Sequence, residues 1–176
     1  MRLGLVGGGG GIRPGQQPGS RMADDRIHLY DSTLRDGAQT QGVDFGAADK
    51  LAIAVALDRL GIDYIEGGWP GANPTDDAFF AQLPRLGHAR VTAFGMTRRP
   101  GRSAANDPGL TAVLASPAGT VCLVGKTWDF HVEVALGATL TENLDMIGES
   151  LAEARRRKDE VHFDAEHFFD GYKANR

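Results

Sequence analysis

Arg35 and Asp36 stand side by side in a dense polar segment, Asp31 to Gln39, that follows the short apolar run Ile27 to Tyr30. A carboxylate offers a hard oxygen to a divalent cation, and a guanidinium beside it can hold an oxyanion. By itself an Arg-Asp dipeptide is commonly a surface ion pair, because charges are normally exposed. This one follows an apolar strand, and Gly37 allows the backbone to turn tightly behind it. Three more charged residues repeat that placement. Glu66 ends an apolar run and leads into Gly-Gly-Trp69-Pro-Gly, Lys126 follows the apolar stretch Thr120 to Val124, and Glu166 follows Val161 to Phe163. Charged groups at successive strand ends are what a parallel barrel gathers at its mouth.

The elements that would carry these groups alternate. Ile27–Tyr30, Ile62–Glu66, Arg90–Phe94, Thr120–Val124 and Val161–Phe163 read as short buried strands. Gly46 to Leu60 reads as a helix with Ile53, Leu57 and Leu60 on one face and Asp49, Lys50, Asp58 and Arg59 outside; Gly61 ends it. Asn73-Pro74 marks the start of a second helix, reaching about Leu83. Pro108–Ala115 is a short helix, and Asp129–Leu136 a helical turn or two. Thr139 with Glu142 forms a capping box, followed by a stripe of Leu140, Leu144, Ile147, Leu151 and Ala154. Arg155 to Lys158 close that helix with favourable positive charge. Strand–helix alternation implies a parallel sheet with helical crossovers; a doubly wound sheet and a (β/α)8 barrel both fit.

The 176 residues, 41% apolar and 24% charged, suffice for one domain with a proper core. A net charge of −4 and a pI near 5.7 argue against a nucleic-acid partner. The single cysteine, Cys122, excludes an internal disulfide and fits a reducing compartment; inside an apolar run, it is expected to pack rather than react. No apolar stretch approaches the ~20 residues of a membrane span, and the N-terminus lacks a secretory pattern. A soluble, cytoplasmic protein is expected. Residues 1–25 hold eight of the 24 glycines and two prolines, the composition of a disordered tail; the Gly run never meets the G-x-G-x-x-G spacing of a dinucleotide fingerprint. Gly-Lys-Thr at 125–127 is not a phosphate loop either, because the first glycine of that motif would fall on Thr120. His28, His88, His131 and His162 share no spacing. His167 adjoins Glu166 and so faces away from it on an extended segment.

Three stretches, IHLYDSTLRDGAQTQG from Ile27, EGGWPGANP from Glu66 and VHFDAEHFFDGYK from Val161, resemble the citramalate, 2-isopropylmalate and homocitrate synthase family, which shares a superfamily with hydroxymethylglutaryl-CoA lyases. Trp69 favours the citramalate branch. The resemblance runs from about Arg26 to Asn175, so residues 26–176 are expected to form the first five βα units of a (β/α)8 TIM barrel. It implies condensation of acetyl-CoA with a 2-keto acid, pyruvate in that branch, within isoleucine and leucine biosynthesis. It further implies a divalent metal (Mg, Mn or Zn) and a homodimeric parent. Residue by residue, it assigns Asp36 to the metal, Arg35 to the keto or alkoxide oxygen, Glu166 to proton transfer, and Gln39 and Glu66 to the substrate pocket. The chain departs from the pattern in length. A full barrel takes ~250 residues, and no H-x-H, the family's pair of metal histidines, occurs. The chain is therefore expected to be the N-terminal part of the parent enzyme. A different 2-keto acid, a lyase on the same site, and an inactive truncated fragment are the alternatives.

Overall fold

The computed structural model describes residues 26–176. The tail expected over residues 1–25 lies outside them. Five strands, β1 (Tyr30–Asp31), β2 (Tyr64–Gly68), β3 (Arg90–Met96), β4 (Thr120–Lys126) and β5 (Glu160–Glu166), form one sheet in the order β1-β2-β3-β4-β5, every neighbouring pair parallel. Helices α1 (Ala47–Leu60), α2 (Pro74–Ala81), α3 (Pro108–Ala115) and α5 (Leu140–Arg157) supply the crossovers. A turn, α4 (Asp129–His131), runs into a π-turn at Val132–Leu136, and α6 (Phe168–Ala174) follows β5.

Strand order without a reversal excludes the doubly wound sheet, and ring contacts reveal curvature. Four strand spacings of a flat sheet separate β1 from β5 by about 19 Å, yet the Tyr30 and His162 ring centroids lie 5.9 Å apart. The Tyr64 hydroxyl on β2 donates to Glu160 on β5 at 2.9 Å. The sheet is a curled half-barrel. Its convex face buries Ile65, Ala93, Val121 and Leu123 against Ala54, Phe79, Val113 and Ala154 of the helices. Its concave face carries the polar and aromatic side chains.

The observed strands reach further toward their carboxyl ends than the apolar runs suggested, since Gly68, Met96, Lys126 and Glu166 still pair. The first strand differs most. Only Tyr30 and Asp31 pair, Ile27 is 84% exposed and Leu29 is also exposed, so this is an edge rather than a buried strand. Two helical faces also differ. In α1 Ile53 and Leu57 pack against the core as expected, but the residues fully buried are Lys50 and Ala54, and Leu60 is exposed. In α5 they are Asn143, Met146, Ser150 and Ala154, whereas Leu140 and Leu144 are exposed. The capping box at Thr139 is half made. Thr139 Oγ1 accepts from the Glu142 amide at 3.1 Å, but the Glu142 carboxylate turns to Arg98 instead.

Candidate active site

The polar segment after β1 is a compact turn. The Ser32 carbonyl accepts from the amides of Arg35, Asp36 and Gly37, and the Asp31 carboxylate accepts from the Thr33 amide and hydroxyl at 2.9 and 3.1 Å. Leu34, fully buried, pins the turn to the core. Arg35 is thereby lifted over the concave face, where three groups fix it. Its Nε donates to Glu66 Oε2 at 2.6 Å, its guanidinium carbon lies 3.9 Å over the centre of the Phe94 ring, and its Nη1 donates to Asp36 Oδ1 at 3.2 Å. Glu66, at 2% exposure, is held from behind by the Tyr30 hydroxyl, which donates to Oε1 at 2.9 Å. Burial pushes the Tyr30 phenol well above its ordinary range, reinforced by Cys122 and Glu66, so the proton stays on Tyr30. Both Glu66 oxygens are thus committed.

Cys122 lies beside Tyr30, and burial pushes its thiol up to about 11. At pH 8 that leaves about one thiolate in a thousand. Iodoacetamide at pH 8 is expected to spare Cys122 in the folded protein and label it fully in urea; mass-spectrometric labelling of the native protein within minutes would contradict this.

After Glu66 the chain bulges between Glu66 and Gly68. Gly68 has φ +145°, and a Cβ there would come within 2.5 Å of Asp76; only glycine permits that approach. The bulge delivers Trp69, whose amide donates to Asp76 Oδ2 at 2.8 Å and whose ring meets Phe94 edge-on at 5.6 Å between centroids. Asp76 is buried and ion-paired with buried Lys50; it also accepts from Asn73 Nδ2 at 2.9 Å. Asn73 in turn caps α2 by accepting from the Asp76 amide at 2.8 Å.

Lys126 and Glu166 are register neighbours at the ends of β4 and β5, and their side chains form an ion pair. The backbone beneath is tied down by Asn143 Nδ2 donating to the Lys126 carbonyl at 2.9 Å and by Thr127 Oγ1 donating to the Glu166 carbonyl at 2.7 Å. Two cavities open here. One, about 350 Å³, is lined by Arg35, Gln39, Asn73 and Trp69 among others. The second, about 230 Å³ and mainly apolar, has Met96, Leu110, Val124 and Met146 in its wall, with Lys126 and Glu166 at one side and Trp69 at another.

The structure therefore brings Arg35, Asp36 and Glu66 into direct contact and puts Gln39 on the same cavity as Arg35. Glu166 sits with Lys126 on the neighbouring cavity. Among the described residues no hydrogen bond or ion pair joins the two groups; Trp69 stands between them. Three contributors escaped the sequence reading as site residues: Tyr30, Trp69 and Phe94. Strand parity was the available signal, because Thr92, Phe94 and Met96 alternate onto the concave face as Tyr64 and Glu66 do. Trp128 packs in a ring cluster with Phe130, His131 and His167, centroids 5.0, 4.7 and 5.8 Å away. His167 takes φ 57° and stacks edge-on against His131 at 4.4 Å.

The side chain of Asp36 is 62% exposed, and its Oδ2 is open to a further ligand. That suits one position in the shell of a hard cation, which takes about six. No group of three or more His, Cys, Asp and Glu side chains that could hold a metal occurs among the described residues, so these residues do not amount to a complete metal site.

Residues 26–174 match the family model described as HMGL-like. The chain belongs to the HMGL-like family. It is 50% identical over 153 residues to the (R)-citramalate synthase of Aquifex aeolicus, covering 86% of this chain and 29% of that protein. With the (R)-citramalate synthase of Streptomyces coelicolor it shares 50% over 155 residues, again 86% and 29%. The 2-isopropylmalate synthase of Listeria innocua is more distant, 35% identical over 142 residues, covering 80% of this chain and 27% of that one. The chain thus spans less than a third of the length of these curated relatives. Among solved structures, the hydroxymethylglutaryl-CoA lyase of Pseudomonas aeruginosa superposes with a TM-score of 0.61 at 20% identity, covering 78% of this chain and 45% of that one. The likeness identifies the HMGL-like half-barrel as a partial (β/α)8 fold. Among the described residues no helix is long and apolar enough to cross a membrane.

Proposed function

We propose that this chain supplies the first five βα units of the catalytic barrel of an acyltransferase that condenses acetyl-CoA with pyruvate to give citramalate. The observation that carries the reading is the fixed Arg35 guanidinium, clamped by Glu66 and Phe94 beside an open cavity, in a chain half identical to (R)-citramalate synthases.

In this reaction a base removes a proton from the acetyl methyl, and the resulting enolate carbon bonds to C2 of pyruvate. The keto oxygen takes the electron pair as an alkoxide and is then protonated; water cleaves the thioester and releases CoA. Arg35 faces the oxygen where negative charge develops, and it is pre-positioned, so little reorganisation is needed as the charge forms. Gln39 lines the same cavity as a neutral hydrogen-bonding wall. Glu66 holds Arg35 from below. Glu166, paired with Lys126, assists proton transfer from the side of the second cavity. Asp36 would contribute one ligand to a divalent ion, whose chemistry when bound is Lewis-acid polarisation of the keto group. With this reading go a soluble cytoplasmic homodimer and a place in branched-chain amino-acid biosynthesis.

A chimaera tests it. This chain should replace the matched 153 residues of the Aquifex aeolicus relative and yield an enzyme that releases CoA from acetyl-CoA only when pyruvate is added, with citramalate identified by mass spectrometry. Arg35→Met in that chimaera should lower the rate by about 10²–10³, the range for removing a single oxyanion donor. A folded chimaera making no citramalate, or one indifferent to Arg35→Met, would refute the assignment.

A further inference from the structure

Of all the residues around the two cavities, Trp69 alone lines both. It is a wall between a compartment containing Arg35 and Gln39 and a mainly apolar one walled by Met96, Leu110, Val124 and Met146. It is also unusually well fixed for a residue in a glycine-rich loop. Its amide is held by Asp76, its ring rests edge-on against Phe94, and the bulge ending in Gly68 sets its entry. Phe94 carries the Arg35 guanidinium on its face and packs at 82° to the Trp69 indole. The partition and the oxyanion-holding group are therefore indexed to one ring.

We infer that Trp69 determines which 2-keto acid is accepted, by closing the apolar compartment to the acid's side chain. This inference rests on the proposed function, because it takes the keto oxygen to lie at Arg35. An acid placed there directs its C3 substituent either to solvent or toward the indole. A methyl group, as in pyruvate, fits in front of the ring. A branched chain would need the space behind it, where the second cavity offers about 230 Å³ of mainly apolar volume that the indole blocks. Apolar lining beyond a removable wall is suited to an aliphatic side chain, and each methylene accommodated or refused changes preference by about 10–200-fold.

The test measures binding of pyruvate and of 2-oxoisovalerate to the 176-residue protein by 1H–15N NMR titration, following the Arg35 Nε–H resonance, for wild type, Trp69→Leu and Trp69→Phe. Wild type is expected to prefer pyruvate by at least about tenfold. Trp69→Leu should bring the two acids within about threefold, mainly by tightening the larger one, and Trp69→Phe should retain most of the preference. An unchanged ratio in Trp69→Leu, with both acids still shifting Arg35, overturns the inference and leaves the 2-keto-acid reading standing. No shift of Arg35 by either acid in wild type overturns that reading and the inference with it. Should Trp69→Leu fail to fold, Trp69→Met takes its place under the same criterion.

Discussion

Lys50→Met is expected to destabilise the protein by about 3–5 kcal/mol, the cost of removing one partner from a buried ion pair. The lysine and Asp76 are both buried, and their charges meet in the space between α1 and α2. Lys50 Nζ also donates to the Gly67 carbonyl at 3.1 Å, on the bulged end of β2. Methionine fills the same volume with no charge, so Asp76 would keep only the Trp69 amide and Asn73 Nδ2 as donors. Those two hydrogen bonds do not neutralise a carboxylate with little access to water. Adding Asp76→Asn to Lys50→Met should recover part of the loss, because the orphaned charge goes while a hydrogen-bonding side chain remains. Urea unfolding of the two single variants and the double variant measures this; equal midpoints for wild type and Lys50→Met would show that the pair is not buried. The same variants should move the near-ultraviolet signal of Trp69, since Asp76 is what anchors that residue.

Lys50 also marks a limit of reading from sequence. A lysine is expected outside by its type, although Lys50, three residues before Ile53 and seven before Leu57, lies on their stripe. Its partner lies 26 residues away, on a helix whose own start was legible from Asn73-Pro74. A buried lysine is visible only when both ends of the pair are known. α5 teaches the same lesson. Leucines at four- and three-residue steps suggested the buried face, but the stripe turned to the sheet carries Asn143 and Ser150. Both serve irregular backbone, Asn143 at the Lys126 carbonyl and Ser150 at the Arg98 amide, at 2.9 and 2.8 Å. Buried backbone groups at and beyond strand ends need such partners, and hydrophobic period carries no record of them. Glu66 could be found because it is a charge at the end of an apolar run, where burial has to be explained; Arg35 and Asp36 stood out through the family resemblance of the longer stretch around them. Tyr30, Trp69 and Phe94 did not stand out, because strand parity gives a face and not a role, and an aromatic residue at such a place is normally core.

Arg35→Met is expected to damage two separable properties. Glu66 is the more deeply buried partner, so removing the guanidinium leaves a carboxylate with the Tyr30 hydroxyl as its remaining neighbour. The cost should be about 3 kcal/mol, the low end for a broken buried pair, because Arg35 itself is partly exposed and gains hydration in the unfolded chain. Combining Arg35→Met with Glu66→Gln should return much of that stability, since the neutral amide no longer needs a cation and can still accept from Tyr30. Ligand binding should not return. Under the proposed function, methionine at 35 leaves no donor for the keto oxygen, whatever occupies position 66. Urea midpoints and pyruvate titrations on the single and double variants separate the two effects. If the double variant regains pyruvate binding along with stability, Arg35 is only a scaffold for Glu66. If stability does not recover, the buried charge is not what Arg35 holds in check.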